Sequence, residues 1–124
     1  MKIRHCSITT LSPEEKKQIR DKLSHKNGLF YPLVKKRQSG VKLALIYERK
    51  KLVGWTAILP YCSEPYPQYE MMSFVDPDYR RRGFSKKSSR AILDHNGLGD
   101  KKVQVWTERM RRVVRKTGHK KVVR

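Results

Sequence analysis

In the stretch Arg80-Arg81-Arg82-Gly83-Phe84-Ser85, three guanidinium groups, a residue without a side chain and a hydroxyl fall within six positions. Guanidinium forks match phosphate oxygens in pairs, and glycine lets backbone and ligand approach closely. If this stretch joins a strand to a helix, its unpaired amides and the positive end of the helix dipole converge on one point. A pyrophosphate is the natural guest of such a loop. A solvated basic helix start with an ordinary turn glycine accounts for the same residues, and the local pattern alone does not separate the two. The flanking elements have to decide.

Upstream, residues 69–75 read as a strand that stops at Asp76-Pro77, because the residue before proline is held extended and the ring carries no donor. Downstream, Phe84, Ser88, Ala91 and Ile92 fall at i, i+4, i+7 and i+8. They give one small apolar face and one basic face to a helix that Asn96-Gly97 ends. The local order is therefore strand, glycine loop, helix.

The remaining elements follow from the same signals. Residues 2–8 alternate as an N-terminal strand. Ser12-Pro13-Glu14-Glu15 supplies a capping serine, a proline at the first helical position and two acids, which predicts a helix over 13–23 closed by Asn27-Gly28. Residues 29–34 are a short second helix or an apolar loop, followed by the basic run Lys35-Lys36-Arg37. Residues 42–48 and 52–59 form a hairpin across Arg49-Lys50-Lys51. Pro60, Pro65 and Pro67 predict a surface loop before the next strand, since proline cannot donate to a ladder. Residues 101–106 are a strand. Thr107 opens a basic helix through Met110, Val113 and Val114 to Gly118, and residues 120–123 make a last short strand.

Length and composition bound the answer. With 124 residues, the chain suits one domain over residues 1–124, because two halves would each have a marginal core. No apolar stretch approaches the ~20 residues of a membrane-spanning helix, and no secretory signal opens the chain. Residence in the cytoplasm is expected. Cys6 and Cys62 stand far apart, and none of His5, His25, His95 or His119 has a second ligand at helical spacing, so neither disulfide nor metal is expected. The charge is lopsided: 30 Lys and Arg face 11 Asp and Glu, for a formal +19. Residues 79–124 hold 16 of those bases and 3 of the acids. Such a field attracts nucleotides, nucleic acid and acidic proteins alike.

The order strand, helix, short helix, hairpin, strand, glycine loop, helix, strand, helix resembles the GNAT superfamily of N-acetyltransferases over nearly the whole chain. The segment from Val75-Asp76-Pro77 to Ser85 is similar to the family's strand end and its R/Q-x-x-G-x-G/A coenzyme A loop, with Arg80 and Gly83 in place. Ser85 departs from the usual Gly or Ala but remains small. Val53-Gly54-Trp55 resembles the family's third strand, and Lys116-Thr117-Gly118-His119 the end of its last helix, where Gly-Phe is usual. The resemblance implies a mixed, mostly antiparallel α/β sheet flanked by helices, with a short C-terminal end.

It also implies roles. Acetyl-coenzyme A would be the acyl donor, with Phe74 and Val75 meeting its pantetheine arm through their backbone. Arg80, Arg81, Arg82, Gly83, Phe84 and Ser85 would wrap its pyrophosphate. An amine on a protein or small molecule would attack the thioester directly, so no cysteine nucleophile is needed. Glu70 is the acid on the relevant strand able to relay the amine's proton, although a strand carboxylate of this kind is more often a solvated group that offsets nearby lysines. The family's general-acid tyrosine falls at Val114. That gap, the short tail and the basic helix keep a second reading open: a GNAT-shaped module that binds nucleic acid or an acidic partner with little or no catalysis.

Overall fold

The computed structural model of the protein describes residues 1–24, 40–63, 66–105 and 107–123. The expected Asn27-Gly28 stop, the segment 29–34, the run 35–37, Pro65 and Trp106 lie outside the described residues. The elements are β1 (Lys2–Ser7), α1 (Pro13–Lys22), β2 (Lys42–Glu48), β3 (Lys51–Ser63), β4 (Tyr66–Val75), α2 (Phe84–His95), β5 (Val103–Gln104), α3 (Glu108–Lys116) and β6 (Val122–Val123). The strands form one sheet in the order β1 to β6. β1 to β4 pair antiparallel, while β4–β5 and β5–β6 pair parallel. This is the mixed, mostly antiparallel sheet that the sequence implied. No described helix is long and apolar enough to cross a membrane.

The period-2 alternation of the strands sorts side chains onto two faces. On one face Leu43, Leu45, Trp55, Ala57 and Leu59 pack against Ile19 and Leu23 of the α1 segment, with Met72 and Phe74 at the margin. Trp55 is fully buried, and its indole N–H donates to the Leu23 carbonyl at 2.6 Å, fastening the end of α1 to the sheet. On the other face Ala44, Ile58, Met71 and Val103 meet Ile92 and Leu93 of α2 and Met110 and Val114 of α3.

Helix α1 begins as its sequence dictates. The Ser12 hydroxyl accepts the Glu15 N–H at 3.1 Å, and the Glu15 carboxylate accepts the Ser12 N–H at 2.9 Å. The same carboxylate accepts the Tyr47 hydroxyl at 2.6 Å and is gripped by Arg4 at 2.5 and 2.6 Å. Burial by itself would raise this carboxyl, but the hydrogen bonds from Arg4, Tyr47 and Ser12 outweigh it and hold its pKa at about 2. Because the folded value lies below the ordinary 4.5, the ionised carboxylate stabilises the fold above pH 4.5, and that stability is lost as pH falls toward 2. Denaturant titrations at pH 7 and pH 3 should show the loss. Glu15→Gln should remove most of the difference between the two.

Two expectations need correction. The β2–β3 turn is Arg49-Lys50 alone, because Glu48 pairs with Lys51. Both turn residues have positive φ, 49° and 68°, the backbone of the two-residue turn that matches strand twist. The predicted loop at Pro60 and Pro67 is also absent. Instead β3 and β4 stay in register through Pro60↔Tyr69, Cys62↔Pro67 and Ser63↔Tyr66. The reason is parity. The Asp76 N–H donates to Val53, so the hydrogen-bonded pairs of this ladder join even residues of β4 to odd residues of β3. Pro60 and Pro67 fall on the other parity, and their nitrogens point away from the partner strand. Pro60 also lies past the β2 partner Ile58, and Pro67 ahead of the first β5 pair at Tyr69. Neither ring removes a ladder bond.

Candidate anion-binding cleft

β4 carries the chain to the glycine loop. The Asp76 N–H donates to Val53 at 2.8 Å, keeping β4 paired to its end, and the Asp76 carboxylate accepts the Asp78 N–H at 2.9 Å to shape the turn Pro77–Tyr79. Gly54 lies opposite Val75 in this ladder. The backbone then passes through positive φ at Arg81 (63°) and Gly83 (75°) before α2 begins at Phe84. Gly83 occupies the cap position, and no side chain caps the helix. The contrast with the other described α-helices is direct: Ser12 caps α1 and the Thr107 hydroxyl caps α3 at 3.1 Å. The first-turn amides of α2 therefore have no capping side chain and are available to an external acceptor.

These amides open onto a cleft of about 390 Å³ between the loop and α3. Val75, Arg80, Arg81, Gly83, Phe84, Ser85 and Lys86 form one side, and Arg109, Arg112, Val113 and Lys116 the other. Among the described residues the lining holds six basic side chains and no acid. A Cβ placed on Gly83 would meet nothing within 4 Å, so the glycine leaves space open for a ligand at the helix start.

The candidate residues divide. Val75, Arg80, Arg81, Gly83, Phe84 and Ser85 share the cleft. Arg80 is held in place, with its Nε donating to the Val75 carbonyl at 2.8 Å and its guanidinium over the Phe74 ring at 5.2 Å. Arg82 turns elsewhere, donating to the Asp78 carbonyl at 3.3 Å and covering the Tyr79 ring at 4.9 Å, and is not among the lining residues. Phe74 packs on the α1 face of the sheet, on the side away from the cleft-lining Val75. By ladder parity its backbone groups face β3, while those of Met71, Ser73 and Val75 face the side of β5.

Among the described residues β5 pairs with β4 at Tyr69 and Glu70 alone, so the two strands part beyond that point. Glu70 sits at the parting, half-buried, on the face that also carries Met72 and Phe74. Val114, at the position that the resemblance gives to a tyrosine, is fully buried between α3 and the sheet. It is Val113 that lines the cleft. His119 is buried too, with Nε2 2.7 Å from the Lys101 carbonyl, and so fastens the chain beyond α3 to the segment before β5.

The Ser85 hydroxyl is engaged inside the protein: it donates to Ser73 Oγ at 3.0 Å, and Ser73 donates to the Trp55 carbonyl at 3.1 Å. Ser88 donates to the Ser85 carbonyl at 3.1 Å, and Thr56 Oγ1 lies 2.6 Å from Ser88 Oγ and 3.0 Å from Ser73 Oγ. Four hydroxyls thus tie the start of α2 to β3 and β4. Thr56 and Ser88 are fully buried, where an unsatisfied partner costs about 1–3 kcal/mol. Ser88→Ala should lower the stability by about that much, read as a shift of the denaturation midpoint at unchanged slope.

Sequence reasoning set Ser88 on the inner face of its helix but missed its bonding, and it missed Thr56 and Ser73, whose signal was a hydroxyl at each inward-facing position. It also missed the cleft-lining role of Arg109, Arg112 and Lys116, whose spacing of i, i+3 and i+7 marks one helix face.

The chain has the fold of the GNAT acetyltransferases. It is similar to an aminoglycoside N-acetyltransferase, AAC(6')-Iy, in complex with CoA, at 17% identity and TM-score 0.64 over 99% of this chain and 90% of that one. Glucosamine-6-phosphate N-acetyltransferase from Arabidopsis thaliana superposes with the same TM-score at 15% identity, over 97% and 92% of the two chains. A GNAT family acetyltransferase from Staphylococcus aureus does so at TM-score 0.60 and 15% identity, over 89% and 90%. No protein-family model and no curated protein sequence matches the chain.

Proposed function

We propose that residues 1–124 form one acyl-coenzyme A-binding domain that transfers an acetyl group to an amine of a protein or small molecule. The observation that carries this reading is the uncapped start of α2 facing an acid-free basic cleft, on a fold shared with acetyltransferases. The residues present fit the donor. Arg80, Arg81 and Lys86 and the first amides of α2 are placed for a diphosphate, and Gly83 leaves room for it.

Coenzyme A, when bound, supplies an acyl thioester. The chain's part is to position and to handle protons. The edge of β4 that β5 leaves beyond Met71 turns backbone groups of Ser73 and Val75 toward the place where an extended amide-containing arm would lie. An amide of this edge is placed to steady charge developing on the reacting carbonyl oxygen. Glu70, where the strands part, is the group to take the proton of an attacking ammonium, directly or through water. Val114 can neither supply nor accept a proton, so α3 offers no general acid at that position.

Calorimetric titration of nucleic-acid-free protein with acetyl-coenzyme A tests the reading, with adenosine 3′,5′-bisphosphate as the control for bare anion attraction. Saturable one-to-one binding that favours the full donor is expected. Equal binding of any polyanion would replace the reading with that of a basic binding module.

A further inference from the structure

The cleft carries more positive charge than a diphosphate needs. A diphosphate diester bears two negative charges at neutral pH. The loop wall alone sets Arg80, Arg81, Lys86 and the helix amides against them. Across from it α3 presents Arg109, Arg112 and Lys116 on a single face, while Met110 and Val114 of the same helix are buried in the core. That row spans about 10 Å, from seven residues at 1.5 Å each. Arg112 has one long, exposed ion pair with Glu108 at 3.9 Å, a contact of little energetic weight. Arg109 and Lys116 take part in no ion pair among the described residues. Like charges gathered across one cleft repel each other, and a second anionic group bound between them would relieve this.

We propose that Arg109, Arg112 and Lys116 form a separate subsite for a phosphomonoester on the same ligand, so that the cleft selects a donor carrying both a diphosphate and a distinct terminal phosphate. The inference rests on the coenzyme A reading above, and coenzyme A meets the requirement through its ribose 3′-phosphate. A phosphomonoester dianion is matched by two guanidinium forks and an ammonium as a diester monoanion is not. The loop wall then sets where the diphosphate lies, and the α3 wall distinguishes phosphorylated from dephosphorylated donor.

The test titrates acetyl-coenzyme A and its 3′-dephospho form into the wild-type protein and into the triple variant Arg109→Ala, Arg112→Ala, Lys116→Ala. A second variant, Lys120→Ala with Lys121→Ala, removes charge from exposed positions outside the cleft lining. All three substituted residues of the first variant are exposed, and thermal melts verify that it folds. The wild type should bind the 3′-phosphorylated donor at least tenfold more tightly. The triple variant should lose that preference and keep its affinity for the dephospho form within about threefold, while the lysine variant keeps the preference. Equal affinity of the two donors for the wild type overturns the subsite and leaves the diphosphate reading standing. Preference retained in the triple variant, or lost equally in the lysine variant, also overturns it. Failure of the wild type to bind either donor removes both readings together.

Discussion

Gly83→Val should weaken acetyl-coenzyme A binding by about 10- to 100-fold while lowering the stability of the fold by only about 1–2 kcal/mol. The two effects come apart because they have different causes. Gly83 sits at φ 75°, where a residue with a Cβ pays left-handed strain, but a Cβ there meets nothing within 4 Å in the protein itself. Folding therefore feels strain without collision. A ligand drawn to the first-turn amides would meet the added methyls where glycine leaves space, and would lose at least one charge-assisted hydrogen bond, each worth about 1.5–3 kcal/mol. Calorimetry for affinity, beside urea denaturation for stability, measures the two quantities separately. A variant that loses both in proportion would place Gly83 in the fold alone.

The second large effect is expected at Gly54→Ala, and it runs the other way. A Cβ at Gly54 would stand 2.7 Å from the Phe74 carbonyl oxygen and 3.2 Å from both the Val75 Cα and the Ile46 side chain. Two of these are backbone atoms of β4, so relief requires the strands to move apart, at about 2–3 kcal/mol by the usual cost of overpacking. The moving segment is the one that ends in the glycine loop, held by the bond from the Asp76 N–H to Val53. Urea denaturation should therefore register a loss of stability greater than that of Gly83→Val, with a weakened donor affinity following from the displaced loop. An unchanged midpoint would mean that β3 and β4 part at no cost.

Most of the fold was legible because its signals are local. Ser12 and Glu15 close a capping box where the sequence places one, and Thr107 caps α3 as expected. The Asp76-Pro77 stop and the helix beginning at Phe84 also lie where the residues put them. What was illegible depends on register. The prolines at 60 and 67 argue for a loop until it is known which way each nitrogen points, and that is fixed by pairing with distant residues. The same limit applies at the site. Six consecutive loop residues were read as a unit, yet Arg82 folds back on Tyr79 and Ser85 donates inward to Ser73. The missing part of the cleft came from α3, more than twenty positions along, because what a helix face meets is decided by packing against the sheet.

The alternation of β4 also has a signature in time. In deuterium oxide the amide protons of Met72 and Phe74, which point into the β3 ladder, should persist while that of Ser73, directed to the side from which β5 has departed, is replaced early. Neighbours in one strand would thus keep two clocks. A ligand that lies along the departed side should slow the fast clock and leave the slow one where it was.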